Sequence, residues 1–286
     1  KYQLLTLLTN LFNIGTPISI LTSNNTIKLK MNKILVSTAF CALIGNASLI
    51  DGLNLGPLPT KPIISPSVAK ANFLNLGSDL RGAVDGGAEW LHFSIQDGQM
   101  VPKISFGPPI ISACRKEFPN TIFDVKLGII DPEKRIADFA KAGADIISVH
   151  PESTKQLGAV INMIEEHGCA AGVVLNPATS ISAVEHVLKS CEVAVVMLVN
   201  PGYGGPKYID TAVKKIHELR SMCPNLHISV DGGVNEKNAG QLIEAGANVL
   251  VAGGSVFKAT DKAEVIRQLQ DTRAFLKKDS YVKSFE

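Results

Sequence analysis

Along most of the chain, short apolar runs alternate with longer stretches of helical spacing. The runs are Ile63–Ser65, Trp90–Ser94, Ile122–Leu127, Asp145–Val149, Ala171–Leu175, Ala194–Val199, His227–Val230 and Val249–Ala252. Each is continuous rather than strictly alternating, the mark of parallel strands covered on both faces. Between them, segments such as Pro132–Ala142 and Glu236–Ala245 place apolar residues at helical intervals. A phrase recurs where helix should give way to strand: Gly86-Gly87-Ala88-Glu89, Gly143-Ala144-Asp145 and Gly246-Ala247-Asn248. Glycine at those points predicts a left-handed helix end. Eight strand–helix units over about 215 residues predict an α/β fold, a single (β/α)8 barrel. A doubly wound open sheet would share the local pattern. The count of eight, and the lack of a GxGxxG after the first strand, favour the barrel. The expected division is a leader over 1–47, a linker over 48–62, the barrel over 63–276 and a tail over 277–286.

Charge changes the picture only at the N-terminus. The chain carries a net +2, but residues 1–47 hold Lys1, Lys28, Lys30 and Lys33 and no acid, which leaves the remainder at −2. A near-neutral body without a basic stripe argues against nucleic acid as a partner. Five widely separated cysteines (Cys41, Cys114, Cys169, Cys191, Cys223) with no CxxC pair predict buried thiols rather than a disulfide framework or zinc knuckle. From Met31 the order is a basic Lys33, an apolar run Ile34–Ile44, then small residues at Gly45 and Ala47. That is the layout of a cleavable secretory signal, too short to span a bilayer. It predicts passage into the endomembrane route, with the plastid of an alga whose plastids lie behind endomembranes as one destination. A short helix capping the barrel is the alternative for this run. A homo-oligomer is compatible with apolar positions on the barrel's helices.

In such a barrel the chemistry sits at the C-terminal ends of the strands. Those ends carry Ser65-Pro66-Ser67, then His92 and Ser94 with Gln96-Asp97-Gly98, then Asp124 and Lys126. His150-Pro151-Glu152 and Asn176-Pro177 follow the fourth and fifth runs. Met197 precedes Asn200-Pro201-Gly202-Tyr203-Gly204-Gly205, and the last two ends are Asp231-Gly232-Gly233 and Gly253-Gly254-Ser255. Three glycine-rich turns after consecutive strands present bare N–H groups and suit a phosphate. Asp231 opposite Lys126, with His92 and Ser94 alongside, suits proton abstraction next to a carbonyl, the ammonium holding the enediolate.

The barrel portion resembles the ribulose-phosphate 3-epimerase family. The matching stretches are Ser65-Pro66-Ser67 with Ala71-Asn72-Phe73, Asp97-Gly98 with Val101-Pro102, Phe106-Gly107-Pro108-Pro109 and Ala140–Asp145. They continue through Gly172–Thr179, Asn200–Gly205 and Val230–Gly233. The resemblance implies a TIM barrel that inverts C3 of ribulose 5-phosphate to give xylulose 5-phosphate, a step of pentose phosphate and Calvin cycle metabolism. It implies acids on opposite faces of the substrate and a divalent metal held by two His and two Asp. It places Ser67, Met197, Gly202, Gly204, Gly205, Gly232, Gly233, Gly253 and Gly254 against the sugar phosphate.

Two of the implied metal ligands are His92 and Asp231. The strand-two Asp falls at Ser94 and the strand-three His at Lys126, while two methionines that usually line the site fall at Gln96 and Gly128. Pro206, which has no N–H, stands where the phosphate loop usually has Gln. An ammonium beside a divalent ion is unfavourable, so the metal is expected to be weakly held or absent, with Lys126 supplying the positive charge. Two alternatives remain open: a sugar-phosphate-binding barrel without catalysis, and a lyase of the decarboxylase and hexulose-phosphate synthase kind. Asp124-x-Lys126 resembles the start of the latter's motif, but Ile129 stands where its second Asp belongs, with Asp131 two further on.

Overall fold

The computed structural model describes residues 20–23, 26–29, 52–203 and 211–271. The signal-like segment, the tail, Cys41, Gly204, Gly205 and Pro206 lie outside them. The chain divides into two compact units, Lys1–Leu49 and Ile50–Glu286. In the first, Ile20–Ser23 and Thr26–Leu29 pair antiparallel. The second carries an eight-stranded parallel sheet: β1 (Ile63–Ser65), β2 (Trp90–Gln96), β3 (Ile122–Gly128), β4 (Ile146–Val149), β5 (Ala170–Leu175), β6 (Val193–Met197), β7 (His227–Asp231) and β8 (Val249–Val251). β1 pairs with β8, and a bridge between Ser67 and His92 brings β1 to β2, so the sheet rolls into a nearly closed barrel.

Helices α1 (Leu76–Asp85), α2 (Pro108–Glu117), α3 (Ile136–Ala142), α4 (Leu157–Glu166), α5 (Thr211–Met222), α6 (Ala239–Glu244), α7 (Gly254–Phe257) and α8 (Lys262–Gln270) alternate with the strands. The expected glycines close three of them: Gly87, Gly143 and Gly246 are left-handed. One expectation fails between β5 and β6, where 3-10 turns Ile181–Ala183 and Glu185–Ser190 replace an α-helix. The buried residues there, Ile181, Val184 and Val187, recur every third position. That period suits the three-residue turn of a 3-10 helix.

Residue parity decides what faces the barrel axis. Register joins Trp90 to Ile122, His92 to Asp124, Ser94 to Lys126 and Lys126 to Ser148, so one parity runs unbroken around the barrel. Its first positions form an inner apolar cluster containing Ile63, Trp90, Ile146, Ala170, Val193 and Val249. The opposite parity packs outward on the helices through Leu91, Phe93, Phe123, Val125, Ile147 and Ile228. The N-terminal end of the barrel is covered by residues 52–60. Leu53 and Leu55 join the inner cluster, and a cavity of about 220 Å³ remains beside Trp90 and His227.

Two arginines lock the strands that carry the polar residues. Arg115 donates through Nε and Nη2 to the Gly143 carbonyl (3.1 and 2.7 Å) and through Nη1 to that of Thr121 (2.8 Å). Arg220 does the same for Gly246 (3.0 and 2.8 Å) and Leu226 (2.7 Å). The first clamp fixes the starts of β3 and β4, the second those of β7 and β8. Both use one fork to satisfy carbonyls left over at a helix end.

Candidate active site

At the C-terminal end of the barrel the inward parity turns from apolar to polar. His92, Asp124 and His150 are fully buried, as is the ammonium-bearing Lys126 apart from a trace of exposure. His92 Nδ1 lies 2.7 Å from Asp124 Oδ2, and this carboxylate turns His92 Nε2 toward Asp231 Oδ2, 3.7 Å away. Lys126 reaches across the barrel from β3. Its Nζ donates to Asp231 Oδ2 and lies 3.3 Å from Met197 Sδ. A carboxylate, an ammonium, an imidazole and a thioether therefore converge on one space; the sequence set Asp231 opposite Lys126 with His92 and Ser94 alongside, and Met197 joins them from β6.

Electrostatics follow from that crowding. Burial alone would raise the Asp231 carboxyl, but the Lys126 ammonium against it holds it below the usual carboxylate range. Ser94 pairs in register with Lys126 and is only 9% exposed. It places a neutral hydroxyl on the β2 side of the site, which can donate a hydrogen bond but carries no base of its own.

The surrounding turns have separate structural reasons. Gly202 is left-handed (φ 81°), and a Cβ there would lie 2.6 Å from Val101 Cβ. The turn after β6 is thus packed against the turn after β2, tying together two stretches that the sequence marked separately. Gly232 (φ 122°) presses equally closely on Val199, a Cβ coming within 2.7 Å of its Cγ2. Gly253 faces Ser67, whose Cβ would be 3.2 Å from an added methyl, so the β1 and β8 turns meet. Gly233 and Gly254 open onto free space. Asp97 binds the β2 turn to the β3 turn, accepting from Gln99, Met100 and Ile130 N–H groups at 2.8–2.9 Å.

The sequence placed Asp124 and His150 at strand ends without these roles, and did not mark Lys215. Asp124 fixes His92. Lys215 Nζ holds the β5 turn through the Asn176 and Pro177 carbonyls at 2.8 and 3.2 Å. His150, at the end of β4, makes no hydrogen bond through either ring nitrogen, and its nearest acid is Glu152, 3.8 Å from Nδ1. Burial pushes its imidazole down to about 3, with Lys126 adding to the shift, so it is neutral. The signal that finds it is parity: Ile146, Ser148 and His150 share the inward side of one strand.

The donors present do not suit a divalent ion. His92 keeps Nε2 available, held in place by Asp124 through Nδ1, but Asp231 Oδ2 is taken by an ammonium and position 94 offers a hydroxyl. Among the described residues no three His, Cys, Asp or Glu side chains gather as a metal-holding group. A cation site needs ligands without their protons and without a fixed positive charge among them.

Residues 63–257 match the family described as Ribulose-phosphate 3 epimerase family. The chain is 46% identical over 217 residues to the chloroplastic ribulose-5-phosphate-3-epimerase of Arabidopsis thaliana, covering 74% of this chain and 77% of that one. It is 42% identical to the ribulose-phosphate 3-epimerase of Synechocystis sp., covering 74% of this chain and 94% of that protein. Among solved structures it superposes on 3-hexulose-6-phosphate synthase from Salmonella typhimurium with a TM-score of 0.60 at 17% identity, covering 75% and 98% of the two chains. KGPDC from Streptococcus mutans gives 0.58 at 16%, covering 74% and 97%. These two likenesses establish the barrel.

Proposed function

The chain belongs to the ribulose-phosphate 3-epimerase family, and from that premise we propose that it interconverts ribulose 5-phosphate and xylulose 5-phosphate, with Lys126 supplying the charge that a divalent metal brings to the family's chemistry. The observation that carries the reading is the contact of Lys126 with Asp231, beside His92 and Met197, within the ring of glycine turns. Asp231 takes the proton from C3, and the bonding pair moves into an enediolate whose oxygens face the Lys126 ammonium. His92, fixed by Asp124, borders the same carboxylate. The turns at Gly202, Gly232–Gly233 and Gly253–Gly254, with Ser67, take the phosphate end. A proton reaching C3 from the other face, through water at the Ser94 hydroxyl, completes inversion, and Asp231 releases its own proton to solvent.

A second reading rests on Ser94. With a hydroxyl where the opposite acid belongs, Asp231 alone can remove and return the proton on one face, giving exchange at C3 without inversion. The structural likeness to 3-hexulose-6-phosphate synthase is one of fold, so the lyase reading gains no support from it.

Assaying xylulose 5-phosphate formation with and without a chelator tests the charge assignment. Turnover should persist in EDTA and fall at least about 100-fold in Lys126→Met, the size of effect expected of an oxyanion-stabilising donor. Turnover abolished by EDTA and restored by zinc would overturn it. We also read residues 31–47 as an endomembrane signal. A fluorescent fusion of that segment retained in the cytosol would refute this.

A further inference from the structure

The proposed chemistry has an obstacle built into it. Asp231 must accept a proton from carbon, yet it is ion-paired to Lys126, and a paired carboxylate is a weaker base than a free one. The pair has to part when substrate arrives, and an ammonium left without an acceptor inside the barrel is costly. The structure contains a second acceptor. Lys126 stands in register opposite Ser148 on β4, so His150, two residues further along, is its diagonal neighbour on the same inward side. Diagonal cross-strand neighbours lie within reach of a long side chain. His150 is fully buried, and neither ring nitrogen has a hydrogen-bond partner. A buried polar group with no partner is a rare feature that needs a reason. Its Nδ1 edge faces the Glu152 carboxylate, which is itself engaged by the Thr179 hydroxyl, so Nε2 is left on the opposite edge of the ring.

We propose that His150 is the second seat of Lys126: when sugar phosphate binds, the ammonium leaves Asp231 and donates to the His150 imidazole, freeing the carboxylate as a base while keeping the charge beside the reacting oxygens. This rests on the function proposed above. His150 is then a positioning residue, acting through Lys126. Because its imidazole is neutral, it offers a lone pair rather than a competing charge. A second seat also explains why a buried imidazole without partners is kept beside a lysine. In the resting state Lys126 sits on Asp231 instead.

Two variants and one spectroscopic reading test this. His150→Leu removes the acceptor at similar volume and should keep or raise Tm, since an unpartnered polar group is replaced by an apolar one. Its kcat should fall at least tenfold with KM for ribulose 5-phosphate within about twofold, and His150→Gln, which restores an acceptor, should recover part of that loss. A kcat for His150→Leu within twofold of the unsubstituted protein overturns the proposal. In protein labelled with 15N-histidine, ribulose 5-phosphate should move the lone-pair nitrogen of His150 toward its hydrogen-bonded position, and Lys126→Met should abolish the movement. No movement overturns the proposal whatever the turnover. Movement without formation of xylulose 5-phosphate would uphold the second seat and refute the epimerase reading.

Discussion

The two ends of the barrel axis are built from the same strands and the same parity, yet they carry opposite contents. At the N-terminal end the inward positions are Ile63, Trp90, Ile146, Ala170, Val193 and Val249, with Leu53 and Leu55 laid across them. Even the polar residue there is satisfied: His227 lies 2.9 Å from the Asn248 side chain and 3.4 Å from the Gly56 carbonyl. Two to four residues further along, the inward positions become His92, Asp124, Lys126, His150 and Asp231, where several buried polar atoms have no partner. Each unpaired group costs about 1–3 kcal/mol. The first end stabilises the fold, and the second holds its groups at an energetic cost, which is what the proposed site would require.

Breaking the polar end should have the largest effect. Asp231→Asn should reduce turnover by at least about 1,000-fold and destabilise the fold by about 3 kcal/mol, because Lys126 stays buried without its counter-charge. Adding Lys126→Met should restore stability in urea melts without restoring activity. The apolar end should respond in the reverse sense. Trp90→Ala should cost about 3–5 kcal/mol, while kcat/KM of the folded fraction stays within twofold. Equal losses of activity and stability at both ends would erase the distinction.

Acid sharpens the contrast. The folded state holds His150 down to about 3 against an ordinary 6.5, so unfolded chains take up a proton first as pH falls. Stability from this source is complete above 6.5 and declines toward pH 3, with a slope approaching 1.4 kcal/mol per pH unit. Asp231, also held low, adds stability that is present above 3.8 and lost as pH falls through its lowered value. Melts of His150→Leu should lose His150's share of the slope below 6.5 and keep the shares due to His227, also held low by burial, and to Asp231. Smaller still is the effect of Gly202→Ala, where a methyl at positive φ presses on Val101. It should raise KM about tenfold by displacing the β6 turn, with a stability loss near 1 kcal/mol. Ser94→Asp with Lys126→His, which rebuilds the donor set that the resemblance implies, should confer zinc binding measurable by calorimetry.

Much of this was legible in the residues themselves. The eight apolar runs fall within one or two residues of the eight strands, because strands buried on both faces need continuous apolarity. The convergence of Lys126 with Asp231 followed from their places at the ends of opposite strands. Less legible was the Ile181–Ser190 connection, where helical and three-residue spacing look alike over so few turns. His150 was harder. A histidine before a proline at a strand end reads as a turn residue until register shows that it shares the inward parity of Ser148 and lies diagonal to Lys126. Asp124, read as part of a lysine motif, acts instead on His92.

The central claim is that Asp231 and Lys126 labilise C3 of ribulose 5-phosphate in spite of Ser94. Incubating residues 48–286 with ribulose 5-phosphate in deuterium oxide and following C3 by NMR tests it most directly. Xylulose 5-phosphate carrying deuterium at C3 should form, and should be lost in Asp231→Asn. Deuterium in ribulose 5-phosphate without xylulose 5-phosphate would uphold the base and contradict inversion. A C3 proton that never exchanges would contradict the account as a whole.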